Sequence, residues 1–233
     1  MYNLVHRIYN KELLKSMTTY TSYRALRPSN LCSPQYRHVL LLLYWPVYGF
    51  VFWFAEQVWE PETFHTMYCL LDDRIPFFEW FVIPYLYWFV FLIGTLAYCL
   101  VFDVPAFRKM MHFVIVTYSL SLVIFFLFPN CQQLRPEQFP RDNILTRFMA
   151  GFYAFDTNTN VFPSLHVVGS MAALAAAWRA KGLNKPLWRA VSLVSAVLIS
   201  LSTVFLKQHS VLDIFGGLAV SGIGYLLCFR SKK

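Results

Sequence analysis

Six long apolar runs decide what this chain of 233 residues can fold into. A helix needs roughly 20 mostly apolar residues to cross a bilayer. Runs of about that length lie near residues 39–55, 80–101, 111–128, 163–178, 187–205 and 211–229. We therefore predict an all-α polytopic membrane protein, a bundle of six transmembrane helices. The runs are continuous, which excludes a transmembrane β-barrel, because barrel strands are short and alternate in polarity.

The composition supports a membrane protein. Hydrophobic residues make up 58% of the chain and charged residues only 14%, whereas a soluble domain holds about 25% charged residues. The formal net charge of +8 does not indicate a nucleic-acid partner, because the basic residues lie between the apolar runs, where membrane topology accounts for them. The expected partner is the lipid bilayer.

The basic residues also predict an orientation, since cytoplasmic loops carry an excess of Lys and Arg. With the N-terminus inside, fifteen of the 20 basic residues are cytoplasmic and five are outside. The outer five are Arg74, Arg135, Arg141, Arg147 and Lys207. We therefore expect a multi-pass protein of the cell membrane with both termini in the cytoplasm. The polar segments 129–163 and 206–210 are then extracytoplasmic.

Residues 1–37 are predicted as a cytoplasmic N-terminal segment and residues 38–233 as the six-span membrane domain. Within the first segment, apolar and basic residues alternate over 3–17. This pattern fits either an amphipathic helix on the inner leaflet or a solvated tail. Cys69 and Cys131 fall in segments predicted on the same side, which would allow a disulfide between them.

Two short polar segments, 162–166 and 207–213, lie at the edges of apolar runs. Polar groups near hydrocarbon are costly unless they are paired or functional. His209 and Asp213 are four residues apart and share one helix face, so the carboxylate can orient the imidazole. His209 then suits a nucleophile, and His166 suits a general acid and base. Two histidines and a carboxylate also fit a metal triad, and we keep that alternative open.

Two further residues suit a phosphate ligand. Ser164 follows Pro163 at the start of the fourth run, and this pair is typical of a helix N-terminus, where free backbone N–H groups bind phosphate. Arg135 carries five donors in a planar fork that matches phosphate geometry.

These segments resemble the type 2 phosphatidic acid phosphatase superfamily, whose three motifs are KxxxxxxRP, PSGH and SRxxxxxHxxxD. Arg135-Pro136 matches the end of the first motif. Residues 163–166 (PSLH) match the second, and Ser202, His209 and Asp213 match the third. The resemblance implies a six-helix bundle with His209, His166 and Asp213 as catalytic residues and Arg135, Ser164 and Ser202 as phosphate contacts. It extends from about residue 38 to 229.

Two positions depart from the motifs. Phe128 replaces the lysine of the first motif, and Thr203 replaces the arginine of the third. We predict that Lys207 supplies part of the missing positive charge. Together with PSLH, the segment 72–77 is similar to a subgroup that includes inositol phosphorylceramide synthase-like and bacterial phosphatase-like members.

The resemblance implies a metal-independent enzyme without a cofactor that hydrolyses a lipid phosphate, phosphatidate-like or polyprenyl, through a phosphohistidine at an extracytoplasmic site. Two alternatives stay open. A lipid phosphotransferase would pass the phospho-headgroup to an alcohol such as a sphingolipid or inositol lipid, and the loss of two cations favours its singly charged phosphodiester substrate. A catalytically silent channel or scaffold would keep the fold alone.

Overall fold

The computed structural model describes residues 22–229, and helices make up most of this part of the chain. In chain order the α-helices are α1 (Tyr44–Gln57), α2 (Val82–Phe102), α3 (Val104–Leu127), α4 (Ile144–Phe155), α5 (Leu165–Ala177), α6 (Pro186–Phe205) and α7 (Val211–Cys228). Short 3-10 helices cover Tyr23–Ala25, Pro28–Asn30, Arg37–Leu43, Asp72–Arg74 and Glu79–Phe81.

A two-stranded parallel sheet links the loop after α1 to the loop after α3. Its strands are β1 (His65–Thr66) and β2 (Asn130–Cys131), with His65 opposite Asn130. The sheet gathers two long connections at the same end of the bundle.

The helices confirm the predicted all-α membrane class. Five helical segments are long and apolar enough to cross a bilayer: Arg37–Gln57, Glu79–Phe102, Val104–Leu127, Pro186–Phe205 and Val211–Cys228. The fourth predicted span differs, because its helix α5 has only 13 residues. At 1.5 Å per residue α5 is about 20 Å long, shorter than the roughly 30 Å hydrocarbon core.

Helix α5 is short because it lies inside the bundle. It packs against α2, α3, α6 and α7, so protein rather than lipid surrounds most of its surface. Small residues allow this close approach, and Gly169, Ala172, Ala173 and Ala176 of α5 are all buried. The starts of α5 and α7, which carry the two histidine motifs, therefore meet at one end of the molecule.

The apolar runs did not predict α4, which lies within the predicted outer segment 129–163. Asn143 caps this helix by accepting from the N–H groups of Leu145 and Thr146, and the Thr146 hydroxyl accepts from the Asn143 N–H. The Asn143 amide also donates to Oε1 of Glu79 at 3.0 Å. This contact ties α4 to the 3-10 turn that precedes α2.

The predicted N-terminal boundary at residue 37 stays a prediction. In the described part of that segment, the Tyr23 hydroxyl donates to the Leu100 carbonyl at 2.8 Å and lies 2.7 Å from Nε2 of His38. Residues near 23 thus contact the bundle. The helix considered for residues 3–17 lies outside the described residues.

Candidate active site

The segment 206–213 turns the chain from α6 into α7 and presents His209 at the turn. Ser210 is the N-cap of α7, and its hydroxyl accepts from the Leu212 N–H. Asp213 completes a capping box by accepting from the Ser210 N–H at 2.9 Å. The His209 N–H donates to the carbonyl of Thr203 at 3.1 Å. The backbone on both sides of His209 is therefore held by hydrogen bonds.

The same turn brings the His209 imidazole to the Asp213 carboxylate. Nδ1 of His209 lies 3.1 Å from Oδ2 of Asp213, and the Asp213 side chain is fully buried. With Asp213 ionised, its carboxylate only accepts hydrogen bonds, and this contact then selects the His209 tautomer that carries the proton on Nδ1. In the neutral ring Nε2 then has a free lone pair, which is the form a nucleophile needs.

His166, the second residue of α5, faces the same volume. Its ring centroid lies 5.9 Å from that of His209, with the ring planes at 68°. The ring stacks on Tyr85 at 4.2 Å and contacts Trp88 at 4.4 Å, both from α2. Nε2 of His166 is buried and has no hydrogen-bond partner among the described residues. The two aromatic rings hold the imidazole of His166 in place.

Ser164 lies immediately before α5 and is completely buried. Its N–H donates to the Asp213 carbonyl at 3.1 Å, which joins the first turns of α5 and α7. Its hydroxyl has no partner in the part of the chain that the structure describes. A buried hydroxyl without a partner is costly, so Ser164 is a candidate for a ligand contact.

Arg135 is fully engaged by protein acceptors. Its guanidinium makes five hydrogen bonds, to the Gln208 side chain and to three backbone carbonyls, those of Tyr153, Asp156 and Thr157. Gln208 precedes His209 and also donates to Oδ2 of Asp156 at 3.1 Å. Burial raises the pKa of the Asp156 carboxyl, while Arg135 acts against this shift. The hydrogen bonds of Arg135 thus connect the loop after α4 to the turn that carries His209.

Lys207 and Ser202 also hold protein groups. Nζ of Lys207 donates to the Asp72 carbonyl at 2.6 Å. The backbone of Lys207 has φ 51°, a left-handed value that is uncommon for residues other than glycine. Burial lowers the pKa of the Lys207 ammonium, and Asp72 and Asp73 oppose this shift. The buried Ser202 hydroxyl donates to the Ile199 carbonyl within α6 at 2.6 Å.

The two motif departures occupy structural positions. The Phe128 ring stacks on His65 at 4.4 Å with the planes 7° apart. Thr203 is buried, and its carbonyl accepts from the N–H groups of Gln208 and His209. Neither side chain can replace the charge that the family motif carries there.

Three site residues were not found from the sequence: Asp72, Tyr85 and Gln208. Asp72 and Tyr85 lie far from the histidine motifs along the chain. A single carboxylate, or one tyrosine in a chain rich in aromatic residues, gives no sequence signal of a site residue. Gln208 adjoins His209, but its link to Arg135 spans 73 residues. Only the fold brings these side chains to the site.

Two other expectations concerned cysteines and metals. Cys69 and Cys131 are both free thiols in the structure. Across residues 22–229, His, Cys, Asp and Glu side chains form no group of three or more that could hold a metal ion.

Comparison with known proteins identifies the family. The family model described as the PAP2 superfamily matches residues 109–233, more than half of the chain and the part that carries Arg135, both histidines and Asp213. No curated protein and no solved structure matches the chain significantly. The chain belongs to the PAP2 superfamily, whose members are phosphoesterases, and this membership indicates phosphatase- or phosphotransferase-type chemistry on lipid phosphates.

Proposed function

We propose that the protein is an integral membrane lipid phosphatase that works through a phosphohistidine. The observation that carries this proposal is the pairing of two imidazoles, with ring centroids 5.9 Å apart, one of which is oriented by a buried carboxylate. Covalent phosphoryl transfer requires a nucleophile, a group that orients it, and a general acid and base.

In the first step, Nε2 of His209 attacks phosphorus and the bond from phosphorus to the lipid oxygen breaks. His166 donates a proton to the leaving alkoxide. The imidazolium character that develops on His209 is stabilised by Asp213 through Nδ1–H. The products are the free lipid alcohol and phospho-His209.

In the second step, His166 removes a proton from water, and the resulting hydroxide attacks phosphorus. The phosphorus–nitrogen bond breaks, inorganic phosphate leaves and His209 is restored. The acid of the first step thus becomes the base of the second.

The start of α5 supplies the phosphate seat in this scheme. The first N–H groups of a helix lack intrahelical acceptors, and together with the helix dipole they attract phosphate. The unpartnered hydroxyl of Ser164 lies at the same helix start. These neutral donors stabilise the phosphoryl oxygens without a further cation.

A lipid substrate fits the apolar surroundings of the site. The starts of α5 and α7 meet through the hydrogen bond from the Ser164 N–H to the Asp213 carbonyl, and both helices are apolar. A phosphoryl group bound at these helix starts would leave the substrate's chains in the hydrocarbon. Positive-inside asymmetry supports an extracytoplasmic site.

A second candidate function, lipid phosphotransfer, is favoured by the state of Arg135. All five of its hydrogen bonds go to the protein, and Lys207 is held by Asp72. A site with few free cations suits a phosphodiester, which carries a single charge. An alcohol would then replace water in the second step.

A panel of lipid phosphates and phosphodiesters, with and without alcohol acceptors, tests both functions in purified, reconstituted protein. Free phosphate supports hydrolysis, and a new phospholipid supports transfer. His209→Ala is expected to abolish either product and acid-labile labelling of the protein. His112→Ala is the matched control, because His112 is an exposed histidine of α3.

Activity that survives His209→Ala would refute the proposed mechanism. A silent scaffold is supported if the wild-type protein turns over no lipid in the panel. A divalent-metal chelator provides a further check, since the scheme predicts unchanged turnover and a metal triad predicts loss.

A further inference from the structure

Asp72 contacts the His209 turn from a distant part of the chain. It lies in the loop between α1 and α2 and is 1% exposed. Its Oδ2 accepts from the Ser210 hydroxyl at 2.6 Å, and its Oδ1 accepts from the Val211 N–H at 2.8 Å. Its backbone carbonyl accepts from Nζ of Lys207 at 2.6 Å. One residue thus holds the chain on both sides of His209.

The carboxylate is itself held in one place. Oδ2 of Asp72 also accepts from the Cys69 N–H at 2.8 Å, within the 3-10 turn of its own loop. A buried charge needs such partners, and here they include the N–H of Val211, the first residue of α7. An anion at a helix N-terminus is favoured by the helix dipole. Asp72 therefore stabilises both the position and the start of α7.

We propose that Asp72 is a positioning residue for catalysis, which sets the height and direction of the His209 imidazole through Ser210, Val211 and Lys207. This inference rests on the proposed function. Asp72 does not touch the reacting atoms; it acts on the backbone that carries the nucleophile. Lys207 has a left-handed backbone conformation. The hydrogen bond from its side chain to the Asp72 carbonyl helps to hold the turn before His209 in this conformation.

Positioning has a distinct kinetic signature. A misplaced nucleophile slows the chemical step, and a shift of about 1 Å can cost roughly 100-fold in rate. In the proposed scheme lipid binding depends on the phosphate seat at the start of α5, whereas Asp72 contacts Lys207, Ser210 and Val211 around the His209 turn. Loss of Asp72 should therefore lower kcat and leave KM nearly unchanged.

The test compares Asp72→Asn with Asp73→Asn in reconstituted full-length protein. Asparagine keeps the shape of Asp72 but turns one acceptor into a donor, which cannot satisfy the N–H groups and the hydroxyl together. We expect kcat to fall roughly 10- to 100-fold with KM nearly unchanged. Asp73 is the neighbouring carboxylate, accepts from the exposed Tyr68 hydroxyl, and should tolerate the change.

A loss of folded protein would also lower kcat, so each variant is assayed well below its own melting temperature. A positioning defect persists there, whereas a folding defect recovers. The milder variant Ser210→Ala gives a second route: if Asp72 acts through Ser210, the double variant loses less activity than the product of the two single losses.

The inference is overturned if Asp72→Asn keeps wild-type kcat, if its activity recovers at low temperature, or if the two losses multiply independently. These results differ from those expected if the proposed function is wrong. If the proposed function is wrong, His209→Ala remains active. If His209→Ala is inactive and Asp72→Asn has normal activity, only the positioning role is rejected.

Discussion

The N–H of Ser164 donates a hydrogen bond of 3.1 Å to the carbonyl of Asp213, and this contact joins the first turns of α5 and α7. One helix carries His166 and the other begins beside His209. Any movement of one helix along the other would therefore change the separation of the two imidazoles. The registration of these two helices therefore sets the geometry of the histidine pair.

Gly217→Ala should separate α5 from α7. A Cβ at Gly217 would lie 2.8 Å from Cβ of Val167 and 3.0 Å from the Ser164 carbonyl, which are short contacts with backbone-fixed atoms. We expect a loss of about 1–3 kcal/mol in stability from overpacking, together with reduced turnover. Thermal unfolding in detergent and a lipid phosphate assay measure both.

Gly222→Ala is the control on the same helix, because a Cβ added at Gly222 would have no atom within 4 Å. Alanine is favoured over glycine in a helix by about 1 kcal/mol, so this variant should be at least as stable as the wild type. Equal destabilisation by both substitutions would contradict the close-contact explanation.

Ser164→Ala should separate stability from activity. The Ser164 hydroxyl is buried without a partner among residues 22–229, so its removal leaves stability unchanged or raises it by up to about 1 kcal/mol. Turnover should fall if the hydroxyl binds the phosphoryl group. Ser202→Ala removes a bonded hydroxyl and should instead cost about 1 kcal/mol of stability. A Ser164→Ala enzyme with wild-type turnover would remove this residue from the phosphate seat.

Arg135→Lys should destabilise the protein even without substrate. Lysine has three donors and cannot reproduce the five hydrogen bonds of the guanidinium. We expect a loss of about 2–4 kcal/mol, since hydrogen bonds from charged groups are the stronger ones. Arg147→Lys, at an exposed ion pair with Asp142, should leave the melting temperature nearly unchanged. If Arg135→Lys changes only KM, its main role is phosphate binding rather than bracing the loop.

The burial of Lys207 predicts a pH dependence of stability. Its pKa is lowered by burial, so the folded protein binds this proton less tightly than the unfolded chain, whose lysine pKa is about 10.4. Stability should therefore rise with pH between the lowered pKa and the unfolded value. Lys207→Met should lack this rise, which melting curves across that window would reveal. Parallel curves for the two proteins would argue against burial of the charge.

Lys207→Met should also lower turnover. The substitution removes the ammonium of the residue two positions before the nucleophile, together with its hydrogen bond to the Asp72 carbonyl. Wild-type rates with a lipid phosphate would dismiss both the charge and the anchoring role. Lys207→Arg separates the two roles, because it keeps the charge but replaces the ammonium by a planar guanidinium, which changes the geometry of the contact with the Asp72 carbonyl.

The sequence predicted the helical membrane class and four of the spans to within two residues at each end, because a continuous apolar run of this length is typical of a membrane-spanning helix. The helix of the third predicted span begins at Val104, seven residues earlier than predicted. The sequence predicted less well for α5, which is too short to cross hydrocarbon alone, and it did not predict α4. Both errors have one cause. Hydropathy reports the environment of a segment facing lipid, whereas α5 is surrounded by protein and α4 belongs to a polar connection.

The contacts between site residues that are close in sequence could be predicted from the sequence alone. The spacing of His209 and Asp213 predicted their contact, although His209 lies in the turn before α7 and not on a face of the helix. Pro163-Ser164 predicted the start of α5, since both effects need only neighbouring residues. Long-range contacts, ring stacking as well as hydrogen bonds, determined the rest. The Tyr85 ring beneath His166, the engagement of Arg135 by Gln208 and the hold of Asp72 on the His209 turn join residues up to 139 positions apart. Such contacts exist only when packed helices bring distant segments together, so the tertiary structure alone determined them.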